Sequence, residues 1–248
     1  MEANWSPEEI VQLAKELNNY GTHYRNAVAC LYNTFTYELA DYWRGANYNR
    51  VAEYVNEHYD DFDKITDYIC KEIPNSLYAI GSIEAEDGGG SVFGYEINAP
   101  GDSAISFNLI PMTEESADGS IQLTEEIAKK YIDGSNEPSL PFYSERMEEY
   151  LNSYVNTLEQ FSSIKEFNDA LKVVYGTIEN YKQYSLDVSR NIIAETRLRA
   201  DVELGKISDA DASAKELAVK TLNDYEGDSK STGFFSENNN KGGLQASF

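Results

Sequence analysis

Histidine and cysteine are almost missing from this chain: His23, His58, Cys30 and Cys70 are the whole supply in 248 residues. Disulfide frameworks, zinc ribbons and most histidine-based catalysis therefore lack their raw material. Basic residues are scarce as well. Twenty Lys and Arg stand against 43 Asp and Glu, and a formal net charge of −23 repels nucleic acid and anionic lipid surfaces alike, so no nucleic-acid partner is expected. No apolar run approaches the roughly 18 residues that cross a bilayer, and membrane insertion is not expected. Met1-Glu2-Ala3-Asn4-Trp5 carries neither the basic flank nor the apolar stretch of a secretory signal, which implies a cytoplasmic protein unless export needs no cleavable signal.

What is present is enough apolar material for a folded core, 41% hydrophobic against 25% charged, with aromatic usage tilted to 19 Tyr over 10 Phe and 2 Trp. Tyrosine covers an apolar seam while keeping a polar hydroxyl, so it suits long, narrow interfaces. Ser6-Pro7-Glu8-Glu9 reads as a capping serine, a proline in the first turn and a glutamate that completes a capping box. From there Ile10, Leu13, Leu17, Tyr20, Tyr24, Ala27, Leu31, Phe35, Leu39 and Tyr42 recur at three and four, one stripe of a long helix. After Gly45 the spacing resumes at Tyr48, Val51, Val55, His58, Phe62, Ile65 and Ile69, until Pro74 removes an amide donor. Two long helices with a very short link predict an antiparallel hairpin over residues 1–76.

Residues 77–123 change period. Leu77 to Ile83, Val92 to Ile97 and Ala104 to Leu109 alternate as strands do, and the turn-rich Asp87-Gly88-Gly89-Gly90 and Ala99-Pro100-Gly101-Asp102 separate them. The expectation is a small antiparallel three-stranded β-meander, which needs a helix to cover its apolar face. Helical spacing returns over residues 124–225. Thr124-Glu125-Glu126 opens a short helix, Gly134 to Pro141 reads as an extended linker, and a long amphipathic stretch follows, with breaks expected near Ser163-Ile164-Lys165-Glu166 and Gly176. Ser208-Asp209-Ala210-Asp211 starts a last helix, and residues 226–248 read as a disordered tail. The expected fold is mostly α with an α+β character: a long antiparallel hairpin in a four-helix-bundle-like array, carrying a β-meander insert.

Trp43-Arg44-Gly45 lies between the two helices. Glycine tolerates the positive φ that an abrupt reversal needs, and an indole covers the open end of the hairpin and can offer its N–H to a carbonyl of the first helix. Set between two long amphipathic helices, this Trp-X-Gly resembles the turn of the WXG family, the small helical-hairpin substrates of type VII secretion. The resemblance covers residues 1 to about 75. It implies Trp43 and Gly45 as turn residues and as the edge of an export-recognition surface. It also implies pairing as an antiparallel homodimer or with a related helical-hairpin protein, a secretion ATPase as partner, and export without a cleavable signal. The chain departs from the family in length, since it adds the β insert and a second helical region. The family's export signal, Tyr-X-X-X-Asp/Glu, occurs four times, no more than 19 Tyr and 43 acidic residues would produce by chance.

Two other function classes stand beside this one: a cytoplasmic helical scaffold or chaperone-like adaptor, and a secreted toxin enzyme with its site in the insert. A monomer in which residues 142–200 cover the hairpin competes with the homodimer, because a two-helix hairpin leaves apolar flanks open. No metal or cofactor is expected. Glu57, Asp60, Asp61 and Asp63 read as a solvated face. The segment after Asp209 fails a calcium loop, with Ala214 in place of the turn glycine and Lys220 in place of the bidentate acid. Cys30 and Cys70 lie about 15 Å out of register in the hairpin, too far for a disulfide. His58 reads as a packed seam residue, and no catalytic residue is assigned.

Overall fold

The computed structural model of the chain describes residues 6–79, 104–114, 122–160 and 168–227. Two compact units divide it, residues 1–200 and the remainder from Asp201. The first helix starts as its cap requires. Ser6 Oγ accepts the Glu9 amide at 3.2 Å, Glu9 Oε2 accepts the Ser6 amide at 2.7 Å, and Pro7 occupies the first turn, where its missing N–H is no loss. α1 (Pro7–Asn33) buries Ile10, Leu13, Leu17, Tyr24, Val28 and Leu31 along one side. Its ladder widens into a π-turn at Thr34–Glu38 and tightens into a 3₁₀ turn at Leu39–Asp41.

The chain then reverses, and α2 (Ala46–Glu57) and α3 (Tyr59–Asp67) run back beside α1. Contacts descend α1 as they climb the return rod. Tyr48 Oη donates to the Phe35 carbonyl at 3.1 Å, Tyr32 Oη to the Val55 carbonyl at 2.9 Å, Arg25 Nη1 to Thr66 Oγ1 at 2.9 Å, and Asn18 Nδ2 to the Cys70 carbonyl at 2.5 Å. The rods come close at Gly21, where an added Cβ would stand 2.9 Å from the Ile69 carbonyl oxygen and 3.1 Å from the Cys70 Cα.

The return rod is not the single helix its spacing predicts. It bends at His58 (φ −98°, ψ 1°), widens into a π-turn at Tyr68–Glu72, and continues as α4 (73–79) through Pro74. Pro74 does not stop the chain: the carbonyls of Ile69 and Cys70 in the turn before it, which its missing N–H cannot serve, accept from Tyr154 Oη and Asn18 Nδ2.

Three further elements complete this unit. α5 (Glu125–Tyr131) is capped by Thr124, whose Oγ1 accepts the Ile127 amide at 3.3 Å. α6 (Leu140–Glu159) starts at Ser139 after a tight turn, not an extended linker: Ser139 Oγ donates to the Gly134 carbonyl at 2.7 Å, and Pro141 fits the first turn. α7 (Asn168–Glu203) passes through Gly176 without a break, while Ser163 to Glu166 lie outside the described residues. α6 lies antiparallel to α1, with His23 stacked on Tyr150 at 5.1 Å and Thr34 Oγ1 reaching the Pro138 carbonyl at 3.5 Å. α7 joins α6 through Ser144 and Ser189 (2.7 Å), α1 through Tyr24 and Ser185 (2.7 Å), and the return rod through Tyr68 and Tyr181 (5.4 Å). Four rods thus enclose one core. In the second unit, Ser208 Oγ accepts the Asp211 amide at 3.1 Å and caps α8 (Asp209–Gly227); residues 228–248 lie outside the described residues.

The β-meander is overturned. Among the described residues no strand pairs with another: 77–79 belong to α4, and 104–114 run extended along the hairpin without a strand partner. The middle of the expected meander, 80–103, lies outside the described residues. The polarity of the segment alternates, but its buried set follows another repeat. Buried positions along the segment are Phe107 and Ile110, with Thr113 half-buried, a repeat of three, while Ile105, Leu109 and Met112 are exposed. That is a repeat of three along a chain lying against a surface, not the repeat of two of a sheet, and Pro111 lacks the N–H that a ladder would need.

The contact at Gly21 sets a first prediction. Gly21→Ala presses a methyl group onto backbone that cannot rotate away and is expected to destabilise the chain by about 1–3 kcal/mol. Urea denaturation checks this, and an unchanged midpoint would mean that the rods can separate freely there.

Candidate functional site

The reversal joins Trp43 and Gly45 at one corner. Trp43 is fully buried, its backbone N–H reaches the Leu39 carbonyl at 2.8 Å, and its indole meets the Tyr48 ring edge-on at 5.9 Å. Gly45 adopts φ 91° and ψ −159°, a region essentially closed to side chains, and serves as the N-cap of α2. One expectation is corrected here. The indole N–H meets no acceptor among the described residues, and the carbonyl at the end of the first helix is taken by Arg44, whose Nε donates to Ala40 at 3.0 Å. A guanidinium reaches that carbonyl while lying along the surface; the indole is committed to the apolar interior. α5 braces the same corner: Tyr131 Oη donates to Glu38 Oε2 at 2.7 Å, and Lys130 Nζ donates to Tyr131 Oη at 2.8 Å.

A cradle opens from the corner along α2. Asn49 and Asn56 stand two turns apart on one helical face, about 10 Å along the axis. Asn49 accepts the Thr113 amide (2.8 Å) and donates to the Thr113 carbonyl (2.9 Å); Asn56 does the same for Ile110 (2.8 and 2.9 Å). Three residues of extended chain also cover about 10 Å, so helix and strap keep step. Asn26 of α1 accepts the Ile105 amide at 2.6 Å, and Tyr59 Oη donates to the Phe107 carbonyl at 3.4 Å. Phe107 fills a pocket made by Tyr32 (5.1 Å), Tyr59 (5.3 Å) and the Arg25 guanidinium (5.2 Å). Thr113 Oγ1 takes the Gly45 amide at 3.1 Å, which ties the strap to the corner. Reading of the sequence missed this cradle. Its signal is there: three asparagines on helices, where asparagine is a poor helix former, two of them seven residues apart.

A third cluster lies at the α2–α3 bend. Tyr184 Oη donates to Asp61 Oδ2 at 2.5 Å, so its oxygen accepts from His58 Nδ1 at 3.0 Å, and His58 Nε2 carries the free lone pair. That nitrogen is buried with no partner among the described residues. Burial holds the His58 pKa below its usual value against the opposing charges of Asp61 and Glu57, and burial followed by the Asp61 bond raises that of Tyr184. The cluster pins α7 to the bend. Of the acidic run, Asp61 is engaged there and Asp63 pairs with Arg25 at 3.7 Å, while Glu57 and Asp60 face solvent. Among the described residues no group of three His, Cys, Asp or Glu is arranged to hold a metal. Both cysteines are free, and burial pushes the Cys70 thiol up to about 12.

No family model, no curated protein and no solved structure matches this chain.

Two outcomes are expected. Gly45→Ala forces a side chain into a forbidden backbone region and costs about 1–3 kcal/mol, while Trp43→Ala empties the corner and costs about 3–5 kcal/mol; thermal melts measure both. His58 binds a proton more readily unfolded, near pH 6.5, than folded. Stability therefore falls as pH drops from about 7 through the folded value, and His58→Gln flattens that limb of a urea-midpoint profile. Identical profiles for the two proteins would remove His58 as the titrating group.

Proposed function

We propose that this chain is a non-enzymatic protein–protein interaction protein of the WXG helical-hairpin type, exported by type VII secretion without a cleavable signal. The observation that supports this reading is the corner itself, where two long rods reverse through Trp43-Arg44-Gly45 with the indole fully buried and the glycine at φ 91°. In this reading Trp43 and Gly45 set the edge that the export machinery meets, through Arg44, which is exposed beside them. The flank that a second hairpin would cover is occupied by α6 and α7, so the chain supplies its own second pair of rods. Pairing with another copy is then not needed to bury the hairpin.

Light scattering of the purified chain is expected to give 27.9 kDa. A mass twice that would restore the homodimer. Secretion is expected from cells that carry the export ATPase and not from cells that lack it. Retention in both would remove the export reading and leave a cytoplasmic adaptor.

A further inference from the structure

The cradle along α2 reads main chain, not side chains. Asn49 and Asn56 each engage the N–H and the C=O of one residue, so any residue other than proline can occupy either position. Among the described residues no backbone–backbone hydrogen bond ties the strap to the helices, which leaves side-chain amides, the Tyr59 hydroxyl and three anchors as its attachments. Those anchors are an aromatic in the Tyr32–Tyr59–Arg25 pocket, a buried aliphatic three residues on, and a hydroxyl three further that accepts the Gly45 amide. In 248 residues an aromatic, then Ile, Leu or Val, then Ser or Thr at this spacing occurs once, at Phe107, Ile110 and Thr113.

One feature of the cradle is unmatched by its occupant. Glu53 lies on the α2 face between Asn49 and Asn56, opposite the stretch from Ile110 to Thr113, and is exposed with no ion-pair partner among the described residues. The strap offers it Pro111 and Met112, and no Lys or Arg occurs anywhere in residues 104–114.

We propose that this face is a binding site for an extended peptide segment of another protein, of pattern aromatic-x-x-aliphatic-x-Lys/Arg-Thr/Ser, and that residues 104–114 are a built-in, displaceable stand-in for it. The partner's cation, one residue before the hydroxyl, pairs with Glu53 and gives it an advantage that the strap lacks. The strap's local concentration keeps the site closed until such a segment arrives. This inference is independent of the export reading, since it rests on the cradle alone.

The test uses the full chain and two synthetic peptides, residues 104–114 as they stand and the same peptide with Met112→Lys. Binding is followed by fluorescence anisotropy on a Phe107→Ala/Ile110→Ala variant whose own strap is weakened. Both peptides are expected to bind it, the lysine peptide about threefold tighter, and Glu53→Gln in that background erases the difference. Asn49→Ala/Asn56→Ala lowers binding of both by tenfold or more. In the unaltered protein, excess lysine peptide is expected to speed hydrogen exchange at the Ile110 and Thr113 amides at least threefold, a readout that does not depend on the variants folding. Unchanged exchange there, which a purely structural strap would give, overturns the proposal. So does equal affinity for the two peptides, or a concentration-dependent dimer that disappears with Asn49→Ala/Asn56→Ala, since the occupant would then be a second copy of this chain.

Discussion

A helix that bends or widens turns carbonyls out of its own ladder, and in a buried seam such a carbonyl takes a side-chain donor from elsewhere, alone or beside a backbone amide. The hairpin depends on this constraint at three places. Tyr48 donates to the Phe35 carbonyl in the π-turn of the first rod beside the Leu39 amide, Tyr32 donates to Val55 just before the bend at His58 beside the His58 amide, and Tyr154 of α6 donates to Ile69 in the π-turn of the return rod at 3.0 Å. Asn18 does the same for Cys70. Each donor is supplied by a different rod or segment from the carbonyl it serves, so every irregularity in one rod becomes a fastening to another. The burial of these phenols raises the pKa of Tyr32 and Tyr48, and strongly that of Tyr154, which keeps the hydroxyl protonated and able to donate.

The same logic links the corner to the cradle. Gly45 caps α2 without a side chain, and its own amide is satisfied by Thr113 from a segment far along the chain. The glycine that permits the reversal thereby becomes part of the surface that holds the strap. Asn49, one turn further, continues the row. Corner and cradle are one continuous edge of the hairpin, so a partner that displaced the strap would also take over the amide at the reversal.

The bundle shows how an acidic chain with few aliphatic residues encloses a core. Its seams are lined by tyrosine, serine and threonine pairs as well as by leucine and isoleucine: Tyr24 with Ser185, Ser144 with Ser189, Tyr68 against Tyr181. Between α6 and α7 the hydroxyls of Ser144 and Ser189 meet directly. Glu57, Asp60 and Glu53 are exposed and Asp61 and Asp63 are drawn to Tyr184 and Arg25, whereas the buried guanidinium of Arg199 is paired one turn away with Glu195 at 2.8 Å.

Local chemistry was legible wherever one residue decides a backbone state. Ser6 and Pro7 announce the start of α1, Thr124 that of α5, Ser208 that of α8, and Gly45, two residues after Trp43, marks where the chain turns sharply. What the amino-acid order did not reveal depends on partners distant in sequence. The strap alternates in hydrophobicity as a strand would, and only the asparagines of α2, about 55 to 65 residues earlier, select a period of three instead of two. The bend at His58 carries no helix breaker of its own, and the widening at Tyr68 precedes Pro74, which offers no N–H to the turn before it; Tyr32, Tyr154 and Asn18 donate to carbonyls at these two places. Capping and turn chemistry act within a few residues and so are written in the order of the chain, whereas the satisfaction of a buried carbonyl or an extended backbone is decided by whatever donor the folded rods bring near.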